Sequence, residues 1–216
     1  MADTQHCFEL LGKGDADRLQ RLIKEDPSTA EARDPTGVSL LMHTLYRGRR
    51  DLAELIEGKK NQLDIFEAAS LGKLERLREC ASDVATVNSR SNDGFTALHF
   101  ACYFGQPEAA RLLIEKGAVV DAVSSNPMKL MPLHSAASVR NLEAARLLLE
   151  NGAPVNARQQ GGWVPIHAAA QNGDRAMVEL LLKHGANTKL ANDEGKTPAM
   201  VAREKAHDAI AGMLEG

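Results

Sequence analysis

The sequence predicts an all-α solenoid of stacked helix-turn-helix units, and three recurrences carry that expectation. The segments Thr96-Ala97-Leu98-His99, Met131-Pro132-Leu133-His134 and Val164-Pro165-Ile166-His167 align, and Thr197-Pro198-Ala199-Met200 keeps the first two residues of the pattern. Their starts lie 35, 33 and 33 residues apart. Each of the first three is followed by a leucine pair (Leu112-Leu113, Leu147-Leu148, Leu181-Leu182) and then by Gly-Ala (Gly117-Ala118, Gly152-Ala153, Gly185-Ala186). A repeat of this length is one supersecondary unit that cannot bury its apolar face alone, so neighbours must stack.

Each position of the unit has a physical reason. Thr followed by Pro opens a helix: the hydroxyl caps free amides, and Pro at the first helical position forfeits no hydrogen bond. Small residues at Ala101, Ala136-Ala137 and Ala168 to Ala170 let helices approach closely. Gly105 and Gly173 can end the first helix in the left-handed conformation, as Gly117, Gly152 and Gly185 can end the second. A polar stretch of about ten residues then leaves room for a β-turn finger.

These residues resemble the ankyrin repeat, whose hallmark is Thr-Pro-Leu-His-x-Ala at a period of about 33. The N-terminal half diverges from the pattern but stays in register. Gly14-Asp15 through Leu22-Ile23 matches Gly173-Asp174 through Leu181-Leu182, and Gly37-Val38-Ser39-Leu40-Leu41 matches Gly94-Phe95-Thr96-Ala97-Leu98. The spacing of the second pair is short by the length of one finger. The helix near Asp51–Glu57 therefore passes straight to a new helix at Asp64–Leu71. The expectation is a single ankyrin-repeat domain over 1–216, with about seven repeats near 5–36, 37–62, 63–93, 94–128, 129–161, 162–194 and 195–216. Repeat five breaks the pattern most: Lys129 replaces the leading Gly, Met131 the Thr, and Arg140 the Gly between helices, and its finger is two residues longer.

Composition narrows the function. A net charge of -3 offers no electrostatic case for nucleic acid. No apolar run approaches the roughly 20 residues needed to span a bilayer, and Met1 to Cys7 lacks the layout of a signal peptide. Cys7, Cys80 and Cys102 are scattered and form no CxxC pair, which suits a reducing, cytoplasmic setting. A monomer is expected, since solenoids cap their own ends.

Several residues invite a catalytic reading, and each has a structural explanation. His99, His134 and His167 occupy one position in successive repeats. Packed helices lie about 8–10 Å apart, too far for these rings to share a zinc with bonds of about 2 Å. Each is expected instead to hydrogen-bond locally and tie a finger to its helix. Cys102 stands where the resemblance places a core Ala, so a buried, inert thiol is expected. His134-Ser135 lacks a Gly-x-Ser-x-Gly elbow, and Gly12-Lys13-Gly14 lacks the rest of a phosphate loop. The reading is therefore no enzyme, no cofactor and no metal. Arg47, Arg49, Arg50, Lys59 and Lys60 form a basic cluster, interleaved with Asp51, Glu54 and Glu57 and read as a solvated face.

The resemblance implies binding of a protein partner through the concave side, lined by finger tips and the ends of first helices. Carried over position by position, this selects Tyr46, Arg90, Phe95, Tyr103, Phe104, Met128, Leu130, Val139, Arg158 and Trp163. Five of the eight aromatic residues fall in that set. Apolar rings at solvent-facing positions suggest an interaction site, and Trp, Tyr and Arg are the usual hot-spot residues. The expected site is an aromatic groove on repeats four to six, edged by Arg90 and Arg158. Small-molecule or lipid capture in the same groove is the alternative.

Overall fold

The computed structural model describes residues 4–216. Short helices follow one another along the chain: α1 Thr4–Lys13, α2 Ala16–Glu25, α3 Leu40–Tyr46, α4 Arg50–Glu57, α5 Ile65–Leu71, α6 Leu74–Cys80, α7 Val84–Val87, α8 Ala97–Tyr103, α9 Pro107–Glu115, α10 Pro132–Ser138, α11 Leu142–Glu150, α12 Pro165–Asn172, α13 Arg175–Lys183, α14 Pro198–Glu204 and α15 Asp208–Glu215. Short 3-10 turns occur at Pro27–Glu31 and Gln160–Gly162. No strand forms among the described residues, where Arg33 and Ser39 make one isolated antiparallel bridge. The helical turn α7 was not foreseen; Asp83 caps it by accepting from the Thr86 amide.

Helices pair across tight turns, and the pairs stack. First helices form one row (α3, α5, α8, α10, α12, α14), while α9, α11 and α13 stack in a second. The core runs between the rows. Leu113, Leu148 and Leu181, one from each recurring pair, are fully buried, as are Leu98, Ala136 and Ile166 from the first helices. Each such leucine contributes about 1.5–3 kcal/mol of burial free energy. The stack is therefore held by many equal, local contributions rather than by one central cluster.

The histidines behave as expected from their spacing. Nδ1 of His99, His134 and His167 accepts from the backbone amides of Thr96, Met131 and Val164 at 3.3, 3.1 and 3.2 Å. This is the reciprocal half of a capping box, with His in the role usually played by Glu or Gln. Since Nδ1 accepts, Nε2 carries the proton. It donates to the carbonyls of Leu130, Ala157 and Lys196 at 3.0, 2.9 and 3.1 Å, all in the following segment. One ring thus closes its own helix start and pins the next loop. Burial pushes all three rings below the usual histidine pKa, His99 to about 4.

Fingers are tight hairpin turns at 34–38, 91–95, 124–130, 159–163 and 192–196, each closed by a backbone bond between its ends. The four later fingers are tied in series by Ser125 to Gly94, Gln160 to Met128 and Asp193 to Gly161. No finger separates α4 from α5. The chain passes from Gly58 to Asp64, which caps α5 by accepting from the Phe66 and Glu67 amides at 3.0 and 2.9 Å. Lys129 and Arg140 do replace conformationally needed glycines, adopting φ of 52° and 60°.

One residue of the basic cluster departs from the solvated-face reading. Lys60 is buried, with its ammonium 2.9 Å from Glu31 and 3.4 Å from Glu67. Glu67 occupies the position of the later histidines and is itself buried, so a positive partner must follow it inside. Arg49 does lie at the surface, paired with Asp51 at 2.7 Å.

Candidate functional site

The first helices and fingers enclose an apolar hollow of about 290 Å³, lined by Tyr46, Asp93, Phe95, His99, Phe100, Tyr103, Met128, Leu130 and Ser135. Local structure explains how it arises. Tyr46 and Tyr103 stand at the C-terminal ends of α3 and α8, where side chains leave the helix stack. Phe95 and Met128 belong to successive fingers. Phe100 forms the floor, buried on α8. Because the α5/α6 pair sends up no finger, Tyr46 reaches the next finger and donates a hydrogen bond to Asp93.

The rings form a connected set. Phe100 lies 5.7 Å from Phe95, 6.0 Å from Phe66 and 6.4 Å from both Tyr46 and Phe104, centroid to centroid. Tyr103 meets Phe104 edge-on at 5.1 Å. Tilted, T-shaped and stacked pairs of this kind add about 0.5–1.5 kcal/mol beyond area burial. The rings therefore support one another while Tyr46, Tyr103 and Met128 stay 38%, 42% and 46% exposed.

The structure brings together Tyr46, Phe95, Tyr103, Met128 and Leu130 of the residues selected from sequence. Phe104 and Val139 line an adjoining depression of about 540 Å³, which shares Tyr46 and Tyr103 with the hollow. Trp163 stands apart, packed over its own His167 at 5.4 Å. The aromatic set is thus centred nearer the N-terminus than the expected repeats four to six. Arg90 and Arg158 brace fingers instead of edging this hollow. Arg90 donates to the Gly94 carbonyl at 3.5 Å, and Arg158 to those of Gly162 and Ala191 at 3.1 Å. Sequence reading missed Phe66 and Phe100, which meet edge-on at 6.0 Å beneath the exposed rings.

The residues singled out as catalytic candidates are otherwise committed. His134 commits both ring nitrogens to backbone groups, leaving neither to activate Ser135. Cys102 is fully buried, and burial pushes its thiol well above the ordinary range. Among the described residues, no group of three or more His, Cys, Asp or Glu is placed to hold a metal.

Comparison with known proteins places the chain. A family model described as "Ankyrin repeats (3 copies)" matches residues 8–122, 65–159 and 133–215. The chain belongs to the ankyrin-repeat family. Ankyrin repeats in general mediate protein–protein interaction and are typically non-catalytic. Among relatives, the chain is similar to protein phosphatase 1 regulatory subunit 27 of Mus musculus, at 36% identity over 103 residues, 44% of this chain and 67% of that protein. It is 41% identical over 56 residues to ankyrin repeat domain-containing protein oryK of Aspergillus oryzae, covering 26% of this chain but 9% of the fungal protein. It is 33% identical over 81 residues to a palmitoyltransferase of Drosophila melanogaster, covering 38% of this chain and 13% of that protein. No helix among the described residues is long and apolar enough to cross a membrane.

Proposed function

We propose that this chain is a non-catalytic interaction module, an adaptor, scaffold or inhibitor, which holds a protein partner on its concave finger-and-helix surface. In this reading the about seven units of 1–216 form one domain that works in the cytoplasm as a monomer. The observation that supports it best is the exposure of Tyr46, Tyr103 and Met128 around one apolar hollow. Exposed apolar area that is contiguous, concave and aromatic marks a contact surface, and its rings are of the hot-spot type. At about 290 Å³ the hollow is at the floor of the roughly 300–1,000 Å³ range of small-molecule pockets. A protruding side chain of a protein fits it better than an engulfed metabolite. The phosphatase subunit among the relatives is regulatory by name, which agrees with an adaptor role.

The test is affinity capture from cell lysate with the wild type and a Tyr103→Ala/Met128→Ala double variant, followed by calorimetry with each captured protein. Both side chains are exposed, so the double variant should keep its helicity. The reading expects one or more proteins held by wild type and lost, or bound at least tenfold more weakly, by the variant. Identical capture and identical affinity would remove the hollow from the binding surface.

A further inference from the structure

The lining of the hollow has a charge character that narrows what the partner inserts, and this step rests on the protein-binding reading above. Four aromatic rings, Tyr46, Phe95, Phe100 and Tyr103, contribute to its walls and floor. They are not layered: Phe95 and Tyr46 are inclined at 69° and 52° to Phe100, so the rings bound the space from different directions. An aromatic ring carries negative potential on its face and attracts cations. Asp93 adds a carboxylate. No lysine or arginine lines the hollow, and His99 donates through Nε2 as a neutral ring.

The carboxylate and the backbone carbonyl that face the hollow are already engaged. Asp93 already accepts from Ser91 at Oδ1 and from Tyr46 at Oδ2, and the Leu130 carbonyl accepts from His99. An unmodified lysine head group brings three donors and a tightly held hydration shell, and would leave bonds unmade on entry. A methylated ammonium keeps the positive charge, replaces donors by apolar surface and sheds water at lower cost. We propose that the hollow receives a methylated ammonium head group, presented as the methyl-lysine side chain of the partner protein.

The test is an NMR titration of the full chain, ¹³C-labelled at methionine methyls and ¹⁵N-labelled throughout. Three short glycine-flanked peptides are compared: one with trimethyl-lysine, one with lysine, and one in which carbon replaces the quaternary nitrogen to give an uncharged tert-butyl analogue. The trimethyl-lysine peptide should shift the Met128 methyl and the Phe95 and Tyr103 amides, and bind more tightly than the other two. Phe95→Leu keeps apolar volume but removes a ring face, and should weaken that binding by about threefold to tenfold. Asp93→Asn should weaken it comparably. Both should weaken binding of the uncharged analogue less than that of the trimethyl-lysine peptide. Amide spectra of α3, α5, α8 and α10, the helices around the hollow, report whether each variant keeps its fold.

Equal binding of the uncharged analogue would overturn the proposal by making the hollow a plain apolar site. Tighter binding of unmodified lysine, or no shift at the hollow with any peptide, would overturn it too. None of these outcomes disturbs the lysate-capture result, which tests the protein-binding reading independently.

Discussion

The Tyr46 hydroxyl donates to Asp93 Oδ2, joining the end of α3 to a finger 47 residues further on. Backbone bonds link each later finger to its immediate neighbour. The α5/α6 pair contributes none, so the 34–38 and 91–95 fingers face each other directly. They come so close that a Cβ on Gly37 would lie 1.9 Å from the Asn92 amide nitrogen. Tyr46 is thus both a strut across the gap and a wall of the hollow.

Tyr46→Phe keeps the ring and removes the strut. Hydrogen bonds to charged groups contribute about 1.5–3 kcal/mol when buried, and less at a half-exposed site such as this. The expected loss is about 1 kcal/mol in urea unfolding. Amide exchange at Gly94 and Phe95 should quicken, while that of α12 to α15 stays as in wild type. Unchanged exchange in the 91–95 finger would show that the Gly37–Asn92 contact alone sets its position.

His99 makes stability depend on pH. Burial holds its folded pKa at about 4, against an ordinary value of 6.5. The unfolded chain therefore binds more protons between those limits, so acid favours unfolding. Stability from this group is complete above pH 6.5 and is lost as pH falls through about 4, at most ~3 kcal/mol. His134 and His167 are shifted in the same direction by burial and add to the trend. His99→Gln retains an acceptor for the Thr96 amide without titrating. Urea unfolding at pH 7.5 and pH 5 should show a shallower pH slope for the variant than for wild type. Equal slopes would mean that His99 does not titrate abnormally.

Much of this was legible from residues alone, and the reason is locality. Thr96 and Gly105 act within one helix or one turn, and His99 repeats one bond pattern from unit to unit, so their roles follow from spacing. The truncated unit was legible too, because a missing finger changes a residue count. The hollow was only half legible. Tyr46, Phe95, Tyr103 and Met128 announce themselves by being apolar where solvent is expected. Phe100 sits at an ordinary core position, so it does not stand out in sequence, and its proximity to Tyr46 depends on two fingers closing over a gap, a long-range effect. Trp163 shows the converse: an apolar residue at a solvent-facing position that packs on its own histidine.

Lys129 holds φ at 52°, in the left-handed region where the equivalent positions carry Gly37, Gly94, Gly162 and Gly195. A side chain there costs about 1–2 kcal/mol relative to glycine, partly offset by the greater entropy glycine loses on folding. Lys129 is exposed. Lys129→Gly should therefore raise stability by about 0.5–1 kcal/mol, read as a higher urea midpoint with an unchanged m-value. A lower midpoint would show that the lysine makes a favourable contact in the finger. Because Met128 and Leu130 flank it in the hollow, the same variant also asks whether local strain there assists binding.

Glu67 holds the histidine position in α5 and accepts from the Asp64 amide at 3.1 Å through Oε2, which leaves Oε1 facing Lys60. Both side chains are almost fully buried. Removing one partner of a buried pair strands the other charge, at a cost of about 3–5 kcal/mol, whereas replacing both with neutral groups is often near neutral. Lys60→Met should therefore be strongly destabilising, and Lys60→Met/Glu67→Gln should recover most of the loss, since Gln can still accept from Asp64. The pH dependence has the opposite sign to that of His99. Burial, reinforced by the nearby Asp64, raises the Glu67 pKa above 4.5 in the folded state. Its contribution is then complete below 4.5 and is lost as pH rises through the folded value. Without Lys60 the folded value climbs further, so the deficit of Lys60→Met should be larger at pH 8 than at pH 5. A deficit that is small and flat with pH would mean that Glu67 reaches water when its partner is gone, and that this corner of the solenoid opens where the finger is missing.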